Sequence, residues 1–203
     1  MRYSLVIFDM DGTLTEELLD FDAIRAEIGV TGSGGILEYI ATLPPAERQQ
    51  AQDILHRHEI TAAQAATLLP DTAETLLALR NNGIQTALLT RNSPLCARTV
   101  LAKHNLLDFW HHISTRDDLP HKPHKDSILR ITQKLGVPIR QTLMVGDYLY
   151  DVQAARNADC DSALLLTADE FATRPPYADL ATYCIGSLTE LLAIVNGAND
   201  ENE

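Results

Sequence analysis

Two carboxylates spaced two residues apart close the first apolar run of this chain. Asp9 and Asp11 lie in Asp9-Met10-Asp11-Gly12-Thr13, directly after Leu5-Val6-Ile7-Phe8. That run is long enough for one buried strand and too short to span a membrane. Ending a buried strand on two carboxylates is costly unless something pairs with them. A divalent cation is the simplest partner, and an all-oxygen carboxylate site suits magnesium. Residues i and i+2 of a strand share a face, so Asp9 and Asp11 can point together as the chain leaves the sheet. Gly12 permits the tight turn that follows. The same five residues also suit a plain turn in which Asp and Gly merely end a strand, and alone they leave both readings open.

Three later segments narrow the choice. Leu88-Leu89-Thr90-Arg91-Asn92 ends a second apolar strand on a hydroxyl, and Lys122-Pro123 follows a polar loop. Met144-Val145-Gly146-Asp147-Tyr148-Leu149-Tyr150-Asp151 ends a third strand on two more carboxylates. Ligands of open parallel sheets bind beyond the carboxyl ends of the strands. Such a sheet would gather Asp9, Asp11, Thr90, Asp147 and Asp151 at one edge, with Lys122 reaching in. Two carboxylates ~4 Å apart at an effective dielectric of ~20 repel by about 4 kcal/mol. One magnesium and one ammonium would offset much of that repulsion. A carboxylate in such a site can attack phosphorus and form an aspartyl-phosphate. Plainer fates exist for each residue. Thr90 also fits a strand end, Lys122 a solvated loop, and Asp151 a helix N-cap.

In this order, and each at the end of an expected strand apart from the loop-borne lysine, the four segments resemble the four motifs of the haloacid dehalogenase-like (HAD) superfamily. The resemblance runs from Leu5 to about Ala168 and is nearest to subfamily I members of the phosphoglycolate phosphatase and beta-phosphoglucomutase type. It implies a Rossmann-like α/β core, a small helical cap between the first two motifs, and a magnesium-dependent phosphatase acting on a small phosphorylated metabolite. By the same resemblance Asp9 is the nucleophile and a metal ligand. Asp11 is the acid–base, with its main-chain carbonyl on the metal, and Gly12 supports that loop. Thr90 and the Arg91 backbone N–H bind the phosphoryl group beside Asn92. Lys122 neutralises the phosphate, Asp147 ligates magnesium, and Asp151 holds Lys122 or a metal-bound water. The family often reads Lys-Pro-x-Pro-Asp where this chain reads Lys122-Pro123-His124-Lys125-Asp126, which makes Lys125 a rival for the catalytic lysine. Asp11 argues against a dehalogenase, which lacks the second acid. No lysine precedes Lys103, so a Schiff base from the cap has no residue. A phosphomutase on the same core, or a non-catalytic binding protein on this scaffold, remain the alternatives.

Composition sets the outer bounds. A chain of 203 residues suits one domain or a core with a modest insertion. Its net charge of −12 argues against a nucleic-acid footprint, which needs a basic face. Cys96, Cys160 and Cys184 form no CxxC pair or zinc pattern, so free thiols in a reducing compartment are expected. His111-His112 and His121/His124 read as surface histidines because no cysteine or carboxylate completes a zinc set. With no leader and no spanning segment, the reading is a cytoplasmic monomer or weak dimer without membrane contact.

The elements that must position these residues are legible as apolar runs. Strands are expected at Leu5–Phe8, Gln85–Leu89, His112–Ser114, Thr142–Val145, Ser162–Leu166 and Tyr183–Ile185, separated by helical patterns. That alternation points to a doubly wound parallel sheet. Asp71 with Glu74 and Ser187 with Glu190 read as helix N-caps with return contacts, and Ser93-Pro94 as another start. Residues 16–69 break the alternation and form the helical insertion, leaving residues 1–15 and 70–198 as core and 199–203 as a polar tail. Within the insertion one helix spans Phe21 to Ile28, a second carries Ile36 to Leu43 and stops at Pro44-Pro45, a third covers Ala46 to Ile60, and Thr61 with Gln64 starts a fourth. Gly32-Ser33-Gly34-Gly35 reads as a loop that either dips toward the site or acts as a hinge. Arg25, Arg48, Arg57 and His56 are the cap groups able to meet an anion, or simply its solvated surface.

Overall fold

The computed structural model describes residues 1–31 and 34–197. Expectations for Gly32, Ser33 and the tail 199–203 lie outside the described residues. β1 (Leu5–Phe8) leads into α1 (Phe21–Ile28), α2 (Ile36–Thr42) and α3 (Pro45–Ala65), then α4 (Thr72–Asn81), β2 (Gln85–Leu89), α5 (Pro94–Lys103) and β3 (His112–Ser114). The second half runs α6 (Asp126–Leu135), β4 (Thr142–Gly146), α7 (Leu149–Asn157), β5 (Asp161–Leu165), α8 (Ala168–Thr173), β6 (Tyr183–Ile185) and α9 (Leu191–Asn196). All strand pairs are parallel, in the order β3-β2-β1-β4-β5-β6. The fold is therefore the expected Rossmann-like α/β sheet, with each strand within a residue of its sequence reading.

Strand alternation makes the two layers. Val6 and Phe8 of β1 enter one apolar cluster with Leu88 of β2 and Val145 of β4, while Leu5 and Ile7 enter the other with Leu89 and Met144. Every β1 side chain is fully buried. Burial of each such side chain contributes about 1.5–3 kcal/mol, and this holds the central strand in place. The chain winds outward through β2 and β3, returns, and winds the other way through β5 and β6. The reversal leaves a crevice at the carboxyl ends of β1 and β4.

Between residues 16 and 69 the regular elements among the described residues are all helices, and they share a small core of Ile24, Ile36, Ile40, Ala51 and Leu55. Its two connections run side by side. The Glu16 N–H donates to the Thr67 carbonyl (3.0 Å) and the Leu69 N–H to the Leu14 carbonyl (2.9 Å). α1 starts at Asp20, whose side chain accepts from the Ala23 N–H, and stops at Gly29 in the left-handed conformation. The third and fourth expected helices are one. Thr61 donates its hydroxyl to the Arg57 carbonyl one turn back (2.9 Å) instead of capping a new start, and no breaker separates it from Ile60. Asp71 also departs from its expected role. It adopts a left-handed backbone (φ 65°) and caps nothing, and α4 is anchored by the Thr72 hydroxyl on the Leu14 carbonyl (3.0 Å). Ser93 caps α5 as expected, accepting from the Cys96 N–H, with Pro94 in the first turn.

Candidate active site

The site begins where β1 and β4 end side by side. The Asp9 N–H donates to the Val145 carbonyl (2.9 Å), so register alone brings Asp9 to the last turn of β4. Gly12 turns the chain with φ +73°. A Cβ there would lie 2.1 Å from the Asp147 carboxylate, so only glycine lets this loop close over Asp147. Gly146 is under the same constraint, since a Cβ would lie 2.2 Å from the Asp151 carboxyl carbon. The Thr13 hydroxyl then donates to Asp147 Oδ1 (2.8 Å), orienting that carboxylate toward the crevice.

Lys122 is the cation of the site. It is 1% exposed, with Nζ 2.8 Å from Asp9 Oδ1 and 2.6 Å from Asp151 Oδ1. Burial pulls its pKa down, but Asp151 and then Asp9 outweigh that and raise it, so the ammonium stays charged. Lys125, by contrast, is exposed at the start of α6. Asp151 is not the N-cap of a helix that follows it, because it lies in the first turn of α7, whose N-cap is Tyr148. Oδ1 takes Lys122, and Oδ2 accepts from the Tyr148 N–H (3.1 Å), the return contact from the first turn to the N-cap residue.

Asp9, Asp147 and Asp151 each offer an oxygen within 4.8 Å of the others, the one such cluster of potential metal ligands among the described residues. The donors are all hard carboxylate oxygens, the set that suits magnesium better than zinc or copper. Burial, and then the charge of Asp9, raise the Asp147 pKa. That is the expected strain of gathered carboxylates with a single ammonium among them.

Asp11 stands slightly apart from that trio. Its carboxylate accepts from Asn92 Nδ2, and burial, followed by the Asp9 charge, pushes its pKa up to about 7. Thr90 is buried at the end of β2 and lines the same cavity, its Oγ1 accepting from the Asn92 N–H (3.1 Å). The Arg91 side chain runs elsewhere. It donates to the Lys122 carbonyl (3.2 Å) and to Glu38 of α2 (2.6 Å), and stacks on the Tyr150 ring at 4.6 Å. All the expected site residues except Gly12, which packs against Asp147, line one cavity of about 390 Å³, with α1, α2 and α3 forming its other wall.

Several residues of this site were not read from the sequence. Thr13 and Gly146 adjoin motif residues, and their small side chains beside carboxylates were the available signal. Glu38, Glu59 and Arg116 had none, because their partners are distant in sequence. Of the four basic residues singled out in the helical segment, Arg25 lines the cavity, where it donates to the Gly34 carbonyl (2.7 Å). Arg48 turns back onto the Ala41 and Leu43 carbonyls, Arg57 pairs with Glu27, and His56 lines a separate surface recess. The three cysteines are free, and no helix among the described residues is long and apolar enough to cross a membrane.

Known proteins resemble this chain in sequence and in fold. An uncharacterized hydrolase of Saccharomyces cerevisiae is 30% identical over 97% of this chain and 93% of its own length. A phosphoglycolate phosphatase of Vibrio vulnificus is 28% identical over 94% of this chain and 95% of its own. A hydrolase from Pseudomonas syringae, 20% identical, superposes with a TM-score of 0.76 over 98% of this chain and all of that one, and shows the same fold. Residues 3–159 match the family model described as haloacid dehalogenase-like hydrolase. The chain is a hydrolase of the haloacid dehalogenase-like family, of the subfamily I, phosphoglycolate phosphatase-like type.

Proposed function

We propose that this hydrolase is a magnesium-dependent phosphatase that cleaves small phosphomonoesters through an aspartyl-phosphate on Asp9. The observation that carries the reading is the buried Lys122 ammonium, 2.8 Å from Asp9 and beside Asp147. A lone ammonium among gathered carboxylates is what a transferring phosphoryl group needs, provided a second cation shares the load.

Asp9 attacks phosphorus, and the ester oxygen leaves with the proton of Asp11. With its pKa pushed up to about 7, Asp11 holds that proton near neutral pH. Asp11 then takes a proton from the water that hydrolyses the acyl phosphate. Thr90 Oγ1 and the Arg91 backbone N–H bind the phosphoryl oxygens, and Lys122 balances their charge. Asp9, Asp147 and the Asp11 carbonyl would hold the magnesium, which supplies charge stabilisation to the phosphoryl oxygens when bound. Asp151 keeps Lys122 in place. The helical segment from residue 16 to 69 acts as a cap that reads the leaving group and excludes water.

Release of phosphate from an aryl phosphate, with magnesium and after exhaustive chelation, tests the reading. Turnover is expected only with the metal and is expected to vanish in Asp9→Asn, because an amide cannot form the acyl phosphate at useful rates. Activity that survives chelation would overturn the metal assignment. An Asp9→Asn variant keeping a tenth of the rate would overturn the nucleophile. Phosphoglycolate, the substrate that several relatives are named for, belongs in the first substrate panel.

A further inference from the structure

The cavity is lined by aromatic rings that the chemistry at Asp9 does not use. Tyr148 follows Asp147 in the chain and lines the cavity, yet it is 51% exposed. Its ring is held from two sides. It meets Tyr150 edge-on, with centroids 5.4 Å apart and planes at 87°, and it meets Tyr177 at 5.9 Å and 62°. Edge-to-face contacts of this kind fix the orientation of a ring. Tyr150 lines the cavity as well, with the Arg91 guanidinium stacked 4.6 Å from its centroid. That guanidinium is held by the Lys122 carbonyl and Glu38, so this pair of planes is fixed too. The fold thus keeps a large ring in a set orientation beside the carboxylates of the site, with half of its surface uncovered.

The helical segment brings apolar side chains to the same space. Leu19, Phe21, Ile36, Leu37 and Leu55 line it, and Phe21 is itself 44% exposed. Large exposed apolar groups gathered at a concave site mark ligand contacts, whereas scattered ones do not. A cavity of about 390 Å³ also lies within the range of about 300–1,000 Å³ that encloses most of a ligand, and a phosphoryl group fills only its Asp9 end. Two leaving-group chemistries suit aromatic walls, a planar ring and a cation. Arg91 decides between them, because its own charge already occupies the cation position over Tyr150.

We propose that Tyr148, buttressed by Tyr150, is a specificity residue that packs against a planar ring of the leaving group, and that the preferred substrates are phosphomonoesters of alcohols carrying an aromatic or heteroaromatic ring. The proposal rests on the phosphatase reading above.

The test is a set of matched substrate pairs in the intact protein with magnesium. Benzyl and 2-phenylethyl phosphates are compared with their cyclohexyl counterparts, and a nucleoside 5′-monophosphate with ribose 5-phosphate. The leaving alcohols within a pair are of similar acidity, so the ring and not the leaving-group strength sets the ratio. Phosphocholine and an aryl phosphate complete the panel. Wild-type kcat/KM should favour the ring-bearing member of at least one pair by roughly three- to tenfold, the worth of an aromatic contact beyond its buried area. The pair with the larger ratio identifies the ring as a simple arene or a base, and either supports the proposal. Tyr148→Leu keeps apolar bulk but removes the ring, so that ratio should fall toward one, and Tyr148→Phe should restore it. Wild-type ratios near one in every pair, a preference for phosphocholine over all ring-bearing substrates, or an unchanged ratio in folded Tyr148→Leu would each overturn the proposal. Should that variant fail to fold, the wild-type ratios decide alone. Absence of turnover even on the aryl phosphate would instead sink the phosphatase reading, and the assignment of Tyr148 with it.

Discussion

Glu38 of α2 accepts a hydrogen bond from Arg91 Nη2 at 2.6 Å, tying the helical segment to the loop that carries Thr90. Arg116 and Glu59 make a second, deeper tie 57 residues apart in sequence, and Lys103 a third on the Gln64 and Ala66 carbonyls. The three ties differ in strength. Glu38 is about half exposed, and pairs of that kind contribute about 0–1 kcal/mol.

Opening should therefore begin at α2. Amide hydrogen exchange is expected to be faster in α1 and α2 than in β1, β2 and β4, and faster still at α2 in Glu38→Gln. The overall unfolding free energy of that variant should change by less than about 1 kcal/mol. Equal protection of the helical segment and the sheet would contradict a cap that moves as a unit.

Magnesium should stabilise the fold whether or not a substrate is present. At about a hundredfold excess over its Kd it adds about 2.7 kcal/mol, which for a chain of this size raises Tm by roughly 5–10 °C. Asp147→Asn should lose most of that shift, because one hard oxygen of the trio becomes an amide. A wild-type Tm indifferent to magnesium would remove the metal from the account.

The pairing of Glu59 with Arg116 predicts a pH-dependent defect. Burial raises the Glu59 pKa, and Arg116 and the Ser93 hydroxyl pull it back. Arg116→Met removes the main restraint, so the folded-state value rises further above the unfolded value of about 4.3. A carboxyl with a raised folded pKa favours the folded state when protonated and loses that advantage as pH rises through the folded value. Denaturant midpoints should thus show the Arg116→Met loss growing from pH 5 to pH 8, toward the few kcal/mol of an uncompensated buried charge. A loss equal at both pH values would mean that Glu59 does not sense the cation.

The sheet was legible because buried parallel strands are short apolar runs, and each here stops within a few residues of a polar or glycine-bearing turn. Three of the four motifs were legible for the same reason, since the strands deliver them to one edge, whereas Lys122 rides on the loop between β3 and α6. Partnerships across the fold were not. Glu59 and Arg116, or Glu38 and Arg91, meet only because α2 and α3 lie against the sheet edge, and nothing local to a glutamate announces a guanidinium more than 50 residues away. The merging of two expected helices into α3 shows the converse. Thr61 and Gln64 carry the local pattern of a helix start, but a threonine can equally return its hydroxyl to the preceding turn.

Gly12→Ala tests the close approach beneath the proposed metal. The new Cβ would fall 2.1 Å from Asp147 at a backbone φ of +73°, so either the loop or the carboxylate must move. A positive φ alone costs an alanine about 1–2 kcal/mol. Displacing Asp147 should in addition weaken magnesium binding at least tenfold, read as a higher magnesium concentration for half-maximal Tm shift. A variant with wild-type metal dependence would show that Asp147 tolerates the displacement.

Lys122 and Lys125 lie three residues apart on one loop, and their environments predict opposite outcomes on replacement by methionine. Lys122 sits between Asp9 and Asp151 with almost no exposure, whereas Lys125 is exposed. Lys122→Met keeps the apolar stem but leaves the buried Asp151 and the partly buried Asp9 without their ammonium, which should cost about 3–5 kcal/mol of stability. The loss of turnover must then be measured on folded protein, at a temperature well below the variant's own Tm. Under those conditions at least a ten- to hundredfold further loss in kcat is expected, because the charge is needed most as the phosphoryl group transfers. Lys125→Met should alter neither stability nor turnover beyond the usual range of surface substitutions, about 0.5 kcal/mol. A large loss of turnover in Lys125→Met with none in Lys122→Met would reassign the catalytic cation. It would also leave the buried ammonium as a structural bridge between β1 and α7.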